Sequence, residues 1–146
     1  MGKLDFYDSE NRPWPNPRLT NASIIGHTTS SEVRLWVRVY EPASYTLLLS
    51  KSPIPTDLKP NQAKLQADYS YGPLNFTFED DLTYVYDLKG LKQDTRYYYA
   101  LFCHKAGRKQ PWELGFDDPL SFRTAPAIST GTTFGLISCH MPYDKA

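Results

Sequence analysis

The chain has little of what marks a disulfide-stapled, membrane-bound or nucleic-acid-binding protein. Its 146 residues include two cysteines, Cys103 and Cys139, which permit one disulfide but not the framework of a small secreted domain. Sixteen Lys and Arg balance sixteen Asp and Glu, so the formal net charge is zero. We therefore expect neither nucleic acid nor a membrane as a partner, and no apolar run reaches membrane-spanning length.

The first residues also lack the features of an export signal. Residues 1–16 are polar and contain prolines instead of a hydrophobic segment, which predicts a cytoplasmic location for the chain as written. A signal removed in cloning would leave the same sequence, so an exported natural protein is the open alternative.

Short segments of alternating polarity are what the sequence does contain, and they predict an all-β sandwich. Twelve prolines and eleven tyrosines fit this class, and helical periodicity is nearly absent. The predicted strands of the sandwich cover residues 19–26, 33–40, 45–50, 76–78, 83–88, 95–104 and 120–124. Residues 62–71 are either an irregular edge or a short strand, and residues 105–118 are predicted to form a long hairpin loop.

The chain divides into three predicted segments. Residues 1–17 form an extended arm, because Pro13, Pro15 and Pro17 oppose regular strand pairing. Residues 18–126 form the sandwich. Residues 127–146 form a linker and one further strand.

The segment from Leu91 to Tyr97 predicts how the sandwich turns one of its corners. In a tyrosine corner a leucine and a threonine precede a tyrosine, whose hydroxyl bonds back to the preceding chain. Leu91, Thr95 and Tyr97 have this spacing, although Gln93 stands where such domains usually carry proline. The ordinary interpretation is a strand entry with a chance tyrosine.

The last residues read as a different kind of strand. Phe134 to Ile137 is a short buried strand that runs into Ser138, Cys139 and His140. Open α/β sheets place their chemistry just beyond the carboxyl end of such strands. This predicts the first strand of a second, α/β domain, with the chain ending six residues later.

Four local motifs, taken in order, resemble the alkaline phosphatase D (PhoD-like) metallophosphatases. The four motifs are residues 31–39 (SEVRLWVRV), 88–99 (LKGLKQDTRYYY), 122–126 (FRTAP) and 134–139 (FGLISC). The resemblance covers roughly residues 16–143. It implies a fibronectin type III-like sandwich that precedes a catalytic domain, with this chain ending just after that domain's first strand.

The resemblance also implies what the parent enzyme would do. It would hydrolyse phosphate esters with iron and calcium ions that polarise the phosphoryl group and activate an oxygen nucleophile. Cys139 matches an iron ligand of the family, and a thiolate suits iron. This chain has His140 where family members more often carry glutamine. Because no further ligand set follows, we expect the chain alone to bind no cofactor and to be catalytically inert.

An interaction surface is the role predicted for the sandwich itself. If Val33, Leu35, Val37 and Val39 face the core, Trp36 points outward between Arg34 and Arg38, and Tyr98 and Phe102 point outward on a second strand. Aromatic residues beside arginine favour interfaces, here with the phosphatase domain that follows. The alternative is that Trp36 is a core residue and a bulge breaks the alternation.

A free-standing binding module for glycans or protein partners is the second functional hypothesis. Its candidate stacking residues are Tyr69, Tyr71, Trp112 and Phe116, which are predicted to lie in loops or irregular segments.

Overall fold

The computed structural model describes residues 21–128 and Gly131 of the chain. The strands are β1 (Ala22–Thr28), β2 (Val33–Arg38), β3 (Ala43–Ser50), β4 (Tyr69–Phe76), β5 (Thr83–Leu88), β6 (Arg96–Cys103), β7 (Trp112–Leu114) and β8 (Leu120–Arg123), and helix α1 spans Pro60–Gln66. No helix among these residues is both long enough and apolar enough to cross a membrane.

Two antiparallel sheets pack face to face in a fibronectin type III-like sandwich. One sheet has the strand order β1-β2-β5, and the other has the order β4-β3-β6, with both β7 and β8 paired to β6. The prediction of an all-β sandwich is thus confirmed. The predicted strand at 134–137 and the arm at 1–17 lie outside the described residues.

The core between the sheets is built from the alternating residues that the sequence predicts. Val33, Leu35 and Val37 of β2 are fully buried, whereas Arg34 between them is exposed. Tyr97 and Leu101 of β6 are buried in the same core. The alternation of β2 is therefore unbroken, and the alternative that placed Trp36 in the core through a bulge is wrong.

Helix α1 covers the outer face of the second sheet, and it is not among the elements predicted from the sequence. Residues 62–71 were predicted as an edge or short strand, but they contain the end of α1 and the start of β4. Pro60 stands at the first turn of the helix, where its missing N–H costs nothing. Ala63 of the helix packs onto a second apolar cluster with Leu48 and Phe102. Both faces of this sheet are therefore buried.

Strand β7 lies within the segment predicted as a loop. Its three residues are buried, and the chain between β7 and β8 turns at Gly115, whose φ is +80°. A β-carbon there would lie 2.7 Å from the carbonyl oxygen of Tyr99. Only glycine combines this backbone conformation with so close an approach, so the break between β7 and β8 is fixed by the sequence.

The tyrosine corner is confirmed by its hydrogen bonds. The hydroxyl of Tyr97 accepts the backbone N–H of Lys92 at 3.0 Å, and the Tyr97 ring is fully buried. The same segment is tied to the end of the sandwich, because the Thr124 hydroxyl donates to the Lys92 carbonyl at 2.6 Å and accepts the Thr95 N–H at 2.9 Å. These bonds hold Thr124, just after β8, against the corner, so they fix where the chain leaves β8.

Removal of one oxygen tests the corner. Tyr97→Phe is expected to lower the free energy of unfolding by about 1–2 kcal/mol, because the Lys92 N–H loses its partner while the ring stays in the core. Urea denaturation measures this loss. Tyr98→Phe is the matched control, since Tyr98 is only half-buried, and an equal effect of both changes would contradict the assigned role of the corner.

Candidate interaction surface

Three apolar side chains form a row across the outer face of the three-stranded sheet. Ile24 of β1 lies opposite Trp36 of β2, which lies opposite Val85 of β5. Ile24 and Val85 are 59% and 48% exposed, and Trp36 is half-buried. We call these three residues the outer row. Adjacent exposed apolar residues in register form a patch of the kind that marks interaction sites.

An ion pair borders the outer row on each side. The Arg34 Nε donates to Asp87 at 2.8 Å, and the Arg38 Nη2 donates to Asp81 at 3.0 Å. Exposed pairs of this kind contribute less than about 1 kcal/mol to stability. Their effect on this face is to neutralise both guanidinium groups, so it presents apolar surface with a balanced polar rim, as protein interfaces do.

The five predicted interface residues do not share one surface. Arg34, Trp36 and Arg38 lie together on the three-stranded sheet, whereas Tyr98 is half-buried on the other sheet. The prediction that Phe102 is exposed is wrong, because it is 3% exposed and packs against Trp112 with ring centres 5.7 Å apart. The second apolar cluster covers the side of β6 that the sequence pattern assigned to solvent.

The sequence pattern also missed two members of the patch. Ile24 and Val85 belong to strands that the sequence predicted, but their contact with Trp36 depends on the pairing of β1 and β5 with β2. The alternation of residues in β5 could have revealed that Val85 faces outward. Tyr86 and Leu88 are buried, so Val85 must face outward.

The aromatic residues predicted to stack on glycans are largely used by the fold. Trp112 is 2% exposed, which corrects its prediction as a loop residue open to ligands. Tyr69 and Tyr71 are half-buried against the main core, with ring centres 6.4 Å apart. Phe116 packs partly against the second apolar cluster. These residues do not form the open aromatic platform that the hypothesis needs.

The predicted iron ligand Cys139 lies outside the described residues. Within residues 21–128, no three His, Cys, Asp or Glu side chains are grouped so as to hold a metal ion. Cys103 is a buried thiol, and its sulfur accepts the Lys105 N–H at 3.4 Å. These are the surroundings of a cysteine that is part of the packed fold.

A network of charged groups ties together one end of the sandwich. The buried Glu113 carboxylate accepts the Tyr40 backbone N–H at 2.8 Å and is paired with the Arg108 guanidinium. Burial has the largest single effect and would lower the pKa of Arg108, but the hydrogen bond and the charge of Glu113, together with smaller contributions from Cys103 and Tyr45, raise that pKa overall. Burial, and next the Glu113 charge, raise the pKa of Tyr45 above its usual range. Arg108 therefore stays charged and paired.

Comparison with known proteins gives likenesses of fold only. No model of a protein family matches the chain, and no curated protein does. Among solved structures, it resembles PhoD with 17% identity and a TM-score of 0.49, over 80% of this chain and 20% of the PhoD chain. It also resembles a computationally redesigned β-sandwich protein with 10% identity and a TM-score of 0.46, over 73% of this chain and 94% of that one.

The fn3 domain of human collagen alpha-1(XX) is a further likeness, with 11% identity and a TM-score of 0.45, over 80% of this chain and 90% of that one. The chain thus spans about a fifth of the length of the PhoD structure. The strand order and register carry the fold assignment by themselves.

Proposed function

We propose that this chain is the accessory β-sandwich of a PhoD-like metal-dependent phosphatase or phosphodiesterase. Within such an enzyme the sandwich packs on the catalytic domain and shapes its entrance. The support is the ordered set of four sequence motifs at residues 31–39, 88–99, 122–126 and 134–139. The corner in the second motif is formed as the resemblance implies.

The outer row is the observation that carries the docking role. Ile24, Trp36 and Val85 present apolar surface that the sandwich does not use in either of its cores. The chain leaves the sandwich at one end of the sheet that carries the outer row, because the Ala125 N–H donates to the Thr29 carbonyl at 3.0 Å, just after β1. A domain that follows Pro126 would therefore begin at the end of the three-stranded sheet.

The metals implied by the resemblance, iron and calcium, would be held beyond the sandwich. As the resemblance implies, the proposed site would consist of Cys139 together with groups of the catalytic domain. The sandwich would contribute to phosphate ester hydrolysis by positioning and shielding that site, not by supplying reacting groups.

Two assays test the enzymatic part of this proposal. The reading frame after Ala146 is sequenced, and the purified product of the whole frame is assayed with a chromogenic phosphodiester and added metal. We expect an α/β domain with metal-dependent hydrolysis, and no hydrolysis by the 146-residue chain alone. Hydrolysis by the 146-residue chain, or a frame without such a domain, would sink the proposal.

The docking role predicts a context-dependent effect of Trp36→Ala. In the longer protein this change is expected to cost about 2 kcal/mol or more of sandwich stability, because a buried interface tryptophan is lost. In the 146-residue chain the cost should be under about 1 kcal/mol, as for a surface position. Urea denaturation of both proteins measures the difference, with Tyr98→Ala on the other sheet as control. Equal losses in both proteins would refute docking through this face.

A binding module for glycans or protein partners remains the second hypothesis, and the outer row favours its protein-partner form. Pull-down of a defined partner by the 146-residue chain, abolished by Trp36→Ala in a frame without a catalytic domain, would establish it.

A further inference from the structure

Strand β5 is an edge strand, and one side of its backbone is directed away from the sheet. Within the described part of the chain it pairs with β2 alone. The Val39 N–H donates to the Leu82 carbonyl at 3.0 Å, and this bond continues the register of the two strands. Because the bonding direction alternates along an antiparallel strand, the N–H and C=O groups of Thr83, Val85 and Asp87 point away from β2.

The edge of β5 lacks the features that keep edge strands from pairing with other chains, which include proline, bulges and short length. In this sandwich β1 has a register shift between Ile25 and Thr28, β4 contains Pro73 beside a register shift, and β7 and β8 have three and four residues. Strand β5 has six residues without proline or glycine, and its pairing with β2 is regular. Its one charged residue, Asp87, is neutralised by Arg34 at 2.8 Å. This edge is therefore the one best suited to strand addition.

We propose that β5 pairs antiparallel with β5 of a second copy of this chain, about a twofold axis at Val85. The two Val85 residues would exchange a pair of backbone hydrogen bonds, and Thr83 would lie opposite Asp87 of the second copy. The Asp87 N–H would donate to the Thr83 carbonyl, whereas the Thr83 N–H already donates to the Asp80 carbonyl at 3.0 Å. The two three-stranded sheets would thereby become one continuous sheet.

The side chains are complementary in this register. The two outer rows would meet end to end at Val85, so apolar side chains face each other across the axis. The acidic turn at residues 79–81 precedes β5, and Lys89 follows it. Because the second copy runs in the opposite direction, the acidic turn of each chain would lie beside Lys89 of the other, where opposite charges attract. A shift of the axis by one residue would instead set Val85 against Thr83 or Asp87.

The pairing uses the edge of β5 and leaves the outer face of the three-stranded sheet open. It is therefore compatible with docking of another domain on the outer row, and it stands whether or not a phosphatase domain follows. In the paired state the outer rows of both copies would form a single apolar surface that is twice as long as the row of one chain.

Sedimentation equilibrium of the 146-residue chain over a range of concentrations tests the pairing. We expect a dimer, and Val85→Lys should raise its Kd about tenfold or more, because two ammonium groups would face each other across the axis. Val85 is 48% exposed, so this variant should fold normally. Ile24→Lys is the matched control, because it adds the same charge to the outer row at a 59% exposed position of β1. It should leave the Kd unchanged.

Two further measurements locate the contact on β5. Lys89→Glu should also raise the Kd, because it places a carboxylate beside the acidic turn of the second copy. Amide hydrogen exchange of the unchanged chain should show that the N–H groups of Val85 and Asp87 become more protected as the protein concentration rises through the Kd, since both would donate across the axis.

Four outcomes would overturn the proposal. The chain could stay monomeric up to about 1 mM. A dimer could form that Val85→Lys does not weaken, which would place the contact elsewhere. Equal weakening by Ile24→Lys and Val85→Lys would mean that the copies stack through their outer faces and not through the edge. Protection of the Val85 N–H in a monomer, at every concentration, would assign the edge of β5 to another segment of the same chain.

Discussion

Glu113→Ala is expected to lower the free energy of unfolding by about 3 kcal/mol. The Glu113 side chain is fully buried, and its carboxylate holds both the Tyr40 N–H and the Arg108 guanidinium. Alanine removes both bonds at once, so the amide loses its acceptor and the guanidinium keeps only the longer contact with Glu41 at 3.8 Å. Removing one partner of a buried pair typically costs about 3–5 kcal/mol. Because the Arg108 side chain is 19% exposed and can rehydrate in part, the lower end applies.

Two further variants separate the charge from the hydrogen bond. Glu113→Gln retains an acceptor for the Tyr40 N–H, so it should lower the free energy of unfolding less than Glu113→Ala does. Arg108→Met combined with Glu113→Ala removes the cation that has lost its closest partner and should recover part of the lost stability. Equilibrium urea unfolding at pH 7 compares the three variants. A loss below about 1 kcal/mol for Glu113→Ala would mean that the network adds nothing beyond packing.

The main core could be predicted from the sequence because its signal is local. In β2 the alternation of Val33, Arg34 and Leu35 assigns one side of the strand to the core without knowledge of its neighbours. The tyrosine corner is also local, because Leu91, Thr95 and Tyr97 lie within seven residues of each other. Both predictions required no knowledge of pairing between distant strands.

The outer face of the five-stranded sheet that contains β6 could not be predicted in the same way. Alternation assumes that one face of a strand meets solvent, which is false where α1 and the chain before it cover the sheet. Phe102 was placed in solvent for this reason, although Ala100 and Phe102 lie under Ala63 and Ile54. The covering element is a seven-residue helix with a single buried residue, so its own apolar pattern was too weak to reveal it.

Only part of the candidate surface could be predicted from the sequence, because the rest depends on which strands pair. Trp36, Arg34 and Arg38 follow from the alternation of one strand. The outer row also needs the register that sets Ile24 and Val85 beside Trp36, and register is decided by long-range pairing.

Trp112→Ala is the second substitution that we expect to cause a large loss of stability. It distinguishes a buried Trp112 that stabilises the fold from an exposed Trp112 that stacks on a ligand. An exposed stacking residue could be replaced at little cost, as surface positions usually can. The structure instead buries Trp112 among Leu48, Ile54 and Phe102, and its indole N–H donates to the Leu58 carbonyl at 3.3 Å. We therefore expect a loss of about 4 kcal/mol, since the change leaves a large cavity in the second cluster.

The two tryptophans make a matched pair for this experiment. In the 146-residue chain Trp36→Ala should have a small effect and Trp112→Ala a large one, because the first faces outward from its sheet and the second joins β7 to the segment that precedes α1. Trp112→Phe should fall between them, since it keeps an aromatic ring but loses the bond to Leu58. Thermal and urea unfolding rank the three variants. If Trp112→Ala were no more destabilising than Trp36→Ala, the second cluster would not stabilise the sandwich, and Trp112 would again be a candidate for ligand stacking.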